Sequence, residues 1–464
     1  MLEQRRQMNP VERRAAFSIA GIFSTRMLGL FMIFPVFALF AQQEFEGVTG
    51  TQIGIAIGIY GLTQAVLQIP YGMLSDRFGR KPLIIVGMLV FMAGSIICAL
   101  ADSIEMMILG RAIQGMGAVA AVLMATVADL VSEQFRLRAM SIVGITIGLS
   151  FTASLVAGPV LGELFGVRGI FWIIAGLGVL GIFLVLFAVP AITSQSFQRE
   201  AEADPSQFKD VIKNPQLLRL DIGVFVLHAT LTAMFIAVPF MIRDLAGLNS
   251  LSHWELYLPV MLLSFVLMVP FIIQAESKGR MKPIFVGAIL TIALMQLALL
   301  YGASGFWTLF LWLLIFFTAF NLLEASLPSL VVKLSPADKK GTASGVYSSS
   351  QFFGAAAGGF IGGWFYEMYS LEGLFLFTAA IGFVWFVMAQ SMANPLPLSI
   401  ASVHYSVKLS DAEQEQLSEK LLSYDGVHEV VFVMADQRVY FKIDRKKIDE
   451  IGLVAYLEKG LNEA

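Results

Sequence analysis

Four ionisable side chains stand inside long apolar stretches of this chain: Arg26, Arg111, His228 and Glu324. A charge at that depth in hydrocarbon costs several kcal/mol by most estimates. Such a residue therefore faces a partner or a wet pathway, and the chemistry open to it is proton transfer or ion binding. Glu324 is a candidate proton-coupling or substrate-binding acid, with a structural partner near the end of its helix as the competing reading. Arg26 divides in the same way. Arg111, a guanidinium that keeps its charge, is a substrate contact, a group that tunes a nearby acid, or a hydrogen-bond anchor. His228 reads first as a packed, hydrogen-bonded histidine and second as a proton carrier. Gln64, Asn321, Tyr347 and Gln351 are candidate polar groups of the same cavity.

The densest charge between two apolar stretches is the run Gly72-Met73-Leu74-Ser75-Asp76-Arg77-Phe78-Gly79-Arg80-Lys81. Its glycines permit a tight turn and close helix approach. Asp76 can sit at the positive end of a neighbouring helix and also face Arg77. A solvated turn that only satisfies topology is the plain alternative.

These residues need a membrane-spanning framework. The 464 residues are 57% hydrophobic and 14% charged, too apolar for a soluble protein. Stretches approaching or exceeding the roughly 20 apolar residues that cross a bilayer fall at 16–40, 51–73, 82–101, 105–130, 138–162, 169–190, 219–243, 254–275, 283–301, 306–332, 341–364 and 372–393. That predicts an all-α membrane protein of twelve spans. Arg5, Arg6, Arg13 and Arg14, then Arg77, Arg80 and Lys81, Arg136 and Arg138, Arg199, Lys209, Lys213 and Arg219, Lys278, Arg280 and Lys282, and Lys333, Lys339 and Lys340 fall on one side. Arg168 and Arg243 fall on the other, so both termini are expected in the cytoplasm. The basic start precedes an apolar segment too long for a cleavable signal, which is read as a retained first span. Cys98 is the sole cysteine and reads as a packing residue. A net charge of −3 identifies no partner.

The polar gap 192–218, with Pro205 and Pro215, separates six spans from six. At an offset near 200, Asp76, Gly79 and Arg80 overlie Glu276, Gly279 and Arg280, and Arg138-Ala139 overlies Lys340-Gly341. This weak repeat is what two related bundles leave in a sequence. The second copy has Ile272 for Gly72 and Met281 for Lys81, so the two loops are expected to differ in function. The division is 1–190, a linker over 191–218, 219–394, and a soluble tail over 398–464.

In the tail, Val403, Tyr405, Val407 and Leu409 alternate as a strand, Asp411 to Ser423 reads as a helix, Val427–Met434 and Arg438–Ile443 as a hairpin about Asp436-Gln437, and 445–461 as a helix capped by Asp444. This βαββα order resembles a small α+β ferredoxin-like domain with the last strand missing or short. Metal-binding members of that fold use paired cysteines where this chain has Lys408-Leu409-Ser410-Asp411, so no metal is expected. Eight basic against twelve acidic residues from 401 onward give the tail a net −4, which argues against nucleic acid and against an anionic lipid surface. A small ligand or a protein remains its expected partner.

The 72–81 run resembles, at every defining position, the loop between helices 2 and 3 of the major facilitator superfamily of secondary transporters. The resemblance covers about residues 15–393 and implies two pseudo-symmetric six-helix bundles around a central cavity. In that family the loop carboxylate, here Asp76, docks on the start of helix 11 in one conformation, and the arginine links to an acid at the end of helix 4, here Asp129. Gly72, Asp76, Arg77, Gly79, Arg80, Lys81 and Asp129 would then form a conformational latch. Arg111-Ala112-Ile113-Gln114-Gly115-Met116-Gly117 resembles the second family signature and adds Gln114 to the cavity set. Gly144, Gly148, Gly158, Pro159 and Gly162 resemble the helix-packing signature of the family's antiporters, departing from it at Ser154 and Glu163. They imply that helices from the two halves slide closely. Gly354, Gly358, Gly359, Gly362 and Gly363 support close packing equally.

The resemblance implies proton-coupled export of a small molecule across the bacterial inner membrane, with protons, substrate and lipid as partners and no cofactor. A proton-linked importer and a membrane sensor signalling through the tail are the alternatives. Nothing in the sequence suggests an enzyme, and the absence of a phosphate-binding loop argues against direct ATP coupling.

Overall fold

The computed structural model describes residues 7–191, 208–336, 339–394, 399–404, 411–433, 438–443 and 447–448. Tyr405, Val407 and Leu409, the turn at Asp436-Gln437, the helix expected over 445–461 with its Asp444 cap, and residues 192–207 of the linker lie outside them.

Helix α1 (Pro10–Phe31) begins at a capping box. The Asn9 side chain accepts from the Glu12 N–H at 2.7 Å, and the Glu12 carboxylate accepts from the Asn9 N–H at 2.8 Å. The chain breaks at 32–36, around Pro35, before α2 (Phe37–Glu44), so the stretch expected as one helix over 16–40 is two. A second capping box, Thr49 with Gln52, opens α3 (Gly50–Phe78). It stops at Gly79, whose φ of 92° lets the chain turn directly into α4 (Arg80–Ala99). The stretch expected over 105–130 is likewise divided, into α5 (Ile104–Met116) and α6 (Ala120–Leu130), immediately after the signature glycines.

Next come α7 (Glu133–Phe183), which runs on into a π-helical turn at Leu184–Ala188, and the short α8 (Phe208–Lys213). Then follow α9 (Pro215–Asp244), a 3-10 turn at Ser250–His253, α10 (Trp254–Ser277), α11 (Met281–Gly302), α12 (Phe306–Leu334) and α13 (Lys340–Gln390). Gly166, at φ 68°, breaks α7, and Tyr369 with Ser370 breaks α13, each between two stretches that hydropathy separates. Among the described residues nine helices are long and apolar enough to cross a membrane, and the broken α7 and α13 supply two of the nine. The internal repeat has a backbone counterpart: Gly279, at φ 64°, turns the chain between α10 and α11 as Gly79 does between α3 and α4.

Two glycine seams organise the bundle, and α13 takes part in both. A Cβ on Gly54 of α3 would lie 2.0 Å from the Gly359 carbonyl oxygen, and one on Gly359 would lie 2.5 Å from the Gly54 carbonyl oxygen. Gly58 and Gly61 meet Ala356 and Phe352 almost as closely. On a different face of α13, Gly354, Gly358 and Gly362 press on Phe225, Ala229 and Ala233 of α9. Glu367 closes the α3 seam: its carboxylate accepts the Thr51 N–H at 2.9 Å, at the positive N-terminus of α3. Helix α9 is enclosed by protein, with 94% of its apolar window buried, whereas the figure for α10 is 28%, which leaves that helix for lipid.

In the tail, β1 (Ser399–His404), α14 (Asp411–Leu422), β2 (Val427–Val433) and β3 (Arg438–Ile443) form an antiparallel sheet of order β1-β3-β2, with Val403 opposite Val439 and Val431 opposite Tyr440. Leu417 and Leu421 of α14 pack on Val427, Val439, Phe441 and Ile443.

The seam gives the first prediction. Gly54→Leu should lower the thermal unfolding midpoint of the purified protein, because no backbone shift short of parting α3 from α13 makes room. Gly144→Leu should leave it unchanged, since a Cβ there meets nothing within 4 Å. Equal midpoints for the two variants would refute the seam's structural role.

Candidate functional site

Three polar clusters interrupt the apolar interior. The first joins the end of α3 to α4 and α6. Arg80, 3% exposed, donates from Nε to Asp129 Oδ2 at 2.9 Å and from Nη1 to Ser75 Oγ at 2.6 Å, and it also binds the Asp76 carboxylate. Asp76 thus pairs with the arginine four residues on, one helical turn away, and not with Arg77. The Arg77 side chain is exposed and lies 5.5 Å over the Phe78 ring. Lys81 points elsewhere, donating to the Val189 carbonyl at 2.7 Å, next to Arg14, which caps Phe187 and Ala188. These two cations satisfy the orphan carbonyls at the end of the π-helical turn. Gly72 sits beside this cluster, 3.8 Å from the Ala121 methyl if given a Cβ.

The second cluster lies in the first half. Arg26 and Arg111 are both fully buried on either side of Tyr60. Arg26 Nη2 donates to the Tyr60 hydroxyl and to Gln64 Oε1, each at 3.0 Å, while the Arg111 guanidinium lies 4.9 Å over the Tyr60 ring. Arg111 also binds the Gln114 side-chain oxygen and the Ala56 carbonyl, and Gln114 continues to Ser95 at 2.9 Å. Neither arginine has a carboxylate partner among the described residues. Arg26 Nε and Nη1, Arg111 Nη2 and Gln64 Nε2 have no acceptor.

The third cluster lies in the second half. Gln351 of α13 donates from its amide nitrogen to Glu324 Oε1 of α12 at 3.2 Å, and the same nitrogen is 2.8 Å from His228 Nε2 of α9. His228 Nδ1 lies 3.2 Å from the Val224 carbonyl, which can only accept, so Nδ1 carries hydrogen and Nε2 receives the second amide proton. The imidazole is therefore neutral in this arrangement. Glu324 Oε2, 3.7 Å from His228 Nε2, has no hydrogen bond. Tyr347, one turn before Gln351, is buried with an unpartnered hydroxyl. Asn321 is spent on Ser264 at 2.9 Å and contributes nothing to this group.

Six phenylalanines stand between the two halves. Phe151 of α7 contacts Phe31 at 4.8 Å, Phe235 of α9 at 6.5 Å, and Phe317 and Phe320 of α12 at 6.2 and 6.5 Å between centroids. Phe34 joins through Phe31 and Phe235, and Phe320 lies 6.0 Å from the His228 ring. With 38 phenylalanines spread along the chain, the sequence carries no signal that picks out this layer. Sequence reasoning also passed over Asp221, which is buried in α9 seven residues before His228; that two-turn spacing was the available signal.

The helix-packing set is dispersed. Gly158 meets the Met32 carbonyl and Gly162 meets Val36, both within the first half, and Pro159 lies in the same turn as Gly158. Gly148 is 3.7 Å from Phe265 of α10, and Gly144 has no neighbour. Close approach between the halves is carried instead by the α3 and α13 glycines.

A helical membrane bundle with an arginine-clasped loop and ionisable side chains set inside its spans is the framework of a transporter. The chain belongs to the Major Facilitator Superfamily, whose profile matches residues 19–275 and 260–399. It is 44% identical over 440 residues to the inner membrane transport protein YajR of Escherichia coli (strain K12), covering 95% of this chain and 96% of that protein. It is 26% identical over 353 residues to the multidrug resistance protein MdtH of Proteus mirabilis, covering 74% of this chain and 84% of that one. Among solved structures, the human organic anion transporter MFSD10 superposes with a TM-score of 0.61 at 18% identity, over 82% of this chain and all of that one. A bacterial homologue of the lysosomal transporter Spinster, in an inward-facing conformation, gives 0.63 at 14% identity, over 82% of this chain and 96% of that one. The protein is a multi-pass inner membrane transporter, and not an enzyme.

The first cluster yields a prediction. Arg80→Ala leaves Asp129 buried without its counter-charge and should destabilise the protein by about 3–5 kcal/mol. Arg77→Ala should stay within about 0.5 kcal/mol of wild type. Chemical unfolding of the two variants in detergent decides, and comparable losses would contradict the assignment of Arg80 as the clasp.

Proposed function

We propose that the protein exports a small molecule in exchange for protons, by alternating access of a cavity between its two halves. In this reading the twelve predicted spans form two six-helix bundles, the basic end of the molecule faces the cytoplasm, and the tail is a ferredoxin-like domain. The strand order β1-β3-β2 supports that last assignment. The observation that carries the coupling is Gln351. Its single amide group binds both His228 Nε2 and one oxygen of Glu324, so a proton added at His228 Nε2 must displace the amide and rearrange the triad. Proton uptake is thereby tied to the packing of α9, α12 and α13, the helices that meet the other half through Phe235, Phe317 and Phe320. A relative named a multidrug resistance protein supports export over import. Asp76, Arg80 and Asp129, with Gly72 and Gly79 beside them, form the latch that reports which side is open, while Arg77 and Lys81 of the same loop lie outside the clasp.

Substrate charge follows from the first half. Two buried guanidinium groups without a carboxylate favour neutral or anionic compounds over cations. Everted membrane vesicles carrying a pH-sensitive dye test both parts, with neutral, anionic and cationic compounds added after energisation. Compound-induced proton release should occur with wild type, be lost in Glu324→Gln, and favour the first two classes. Silence across the panel would remove antiport. In cells, resistance to lipophilic cations that rises on expression and vanishes in Arg111→Ala would overturn the charge preference.

A further inference from the structure

The 3-10 turn Ser250–His253 holds a histidine that neither the Arg80 clasp nor the Gln351 triad uses. Asn249 caps the turn, its side chain accepting the Ser252 N–H at 3.0 Å, and so fixes where the ring of His253 goes. The turn stands at the end of the molecule away from the basic loops. Phe265 of α10 lies beside Gly148 of α7, and α7 leaves the basic end where α10 returns to it. Following α10 back from Phe265 by about 18 Å brings His253 level with the stretch of α7 just before its break at Gly166. The turn packs on α7, which belongs to the first half, as well as on α9 and α10 of the second. His253 thus sits at a contact between halves. Helix α2 on α9, and the Glu367 carboxylate on the Thr51 N–H, join the halves at the same end.

The ring is fully buried, and neither nitrogen has a hydrogen-bond partner among the described residues. Its surroundings are accounted for element by element. Helix α10 presents Tyr257, whose ring lies 6.5 Å away at 68° and whose buried hydroxyl is also unpartnered, and Glu255, which is exposed. Helix α9 presents Arg243, bound to Asp244 at 2.6 and 3.0 Å. On α7, Glu163 is exposed and Arg168 pairs with Glu44 and Asp102. The Leu248 carbonyl and the Arg243 charge reach the ring, and neither makes a hydrogen bond with it.

An imidazolium here would be buried with no acceptor for either N–H, so the packed contact admits only the neutral ring. Once the halves part, the same ring meets water and takes a proton near about pH 6.5. The parted state therefore binds protons better than the joined one, and acid favours parting.

We propose that His253 is a pH-sensitive switch on the mouth opposite the basic end. Neutral, it lets the Ser250–His253 turn seat on α7 and close that mouth; protonated, it unseats the turn and holds the mouth open. In the orientation proposed above, an acidic exterior opens the side from which protons enter. The inference rests on alternating access and adds the condition that selects between the two states.

Double electron–electron resonance on the full-length protein in lipid nanodiscs reads the mouth directly. Spin labels go on Glu46→Cys of the first half and Ser304→Cys of the second, both exposed positions, in a Cys98→Ala background. With His253 intact, a short and a long distance should appear, and the ratio of long to short should rise about tenfold from about pH 7.5 to about pH 5.5. His253→Gln and His253→Phe, which take no proton, should keep the short distance at both pH values, and His253→Arg should keep the long one. A flat ratio with His253 intact, or a rise that persists in both neutral variants, would overturn the switch while the two distances upheld alternating access. One distance in every variant at both pH values would overturn both readings together.

Discussion

Hydrocarbon offers no hydrogen-bond partner, and every polar group inside this bundle is placed by that constraint. Arg80 meets it fully, gathering Ser75, Asp76 and Asp129 at one helix junction. Gln351 meets it by dividing one amide between a histidine and a carboxylate. Arg26 and Arg111 meet it only in part, since three of their nitrogens have no acceptor. The graded satisfaction separates residues that hold the fold from residues that wait for something to arrive.

The charges are also segregated. The two arginines without a carboxylate partner among the described residues, Arg26 and Arg111, lie in the first half, and the acids Asp221 and Glu324 lie in the second, where Phe320 of the aromatic layer adjoins His228. Paired directly, they would neutralise one another and lock the halves together. Held apart, the two sets keep their charges from neutralising one another. Helix α13 carries both relations at once, since its two glycine faces contact α3 of the first half and α9 of the second.

Much of this was legible beforehand. The spans, the break at Gly166 and the turn at Gly79 follow from hydropathy and glycine placement, and Glu324, His228 and Gln351 stood out as polar residues in apolar surroundings. What the sequence hid depends on three-dimensional approach. Arg80 and not Arg77 clasps Asp76, because the turn at Gly79 brings the start of α4 back beside the end of α3, while Arg77 stays exposed. Gly144 and Gly148 look alike in one dimension, yet Gly144 faces open space and Gly148 meets the Phe265 ring of α10 at ordinary contact distance, while Gly54 and Gly359 touch backbone to backbone. Asp221 was obscured by its nearness to the polar start of α9, where a charged residue reads as solvated until burial is known.

The α3 and α13 seam has a kinetic meaning. Interdigitated side chains part only by leaving one rotamer for another, which adds a series of small barriers to any sliding motion. Where Gly54 and Gly58 lie on Gly359 and Gly363 there are no side chains to rearrange. Parting these helices loses dispersion contacts that are individually weak, the Thr51 to Glu367 bond, and the Gln68 to Ser349 bond further along the seam. The seam is thus firm at rest and, along its glycines, free of side chains that a sliding motion would have to rearrange.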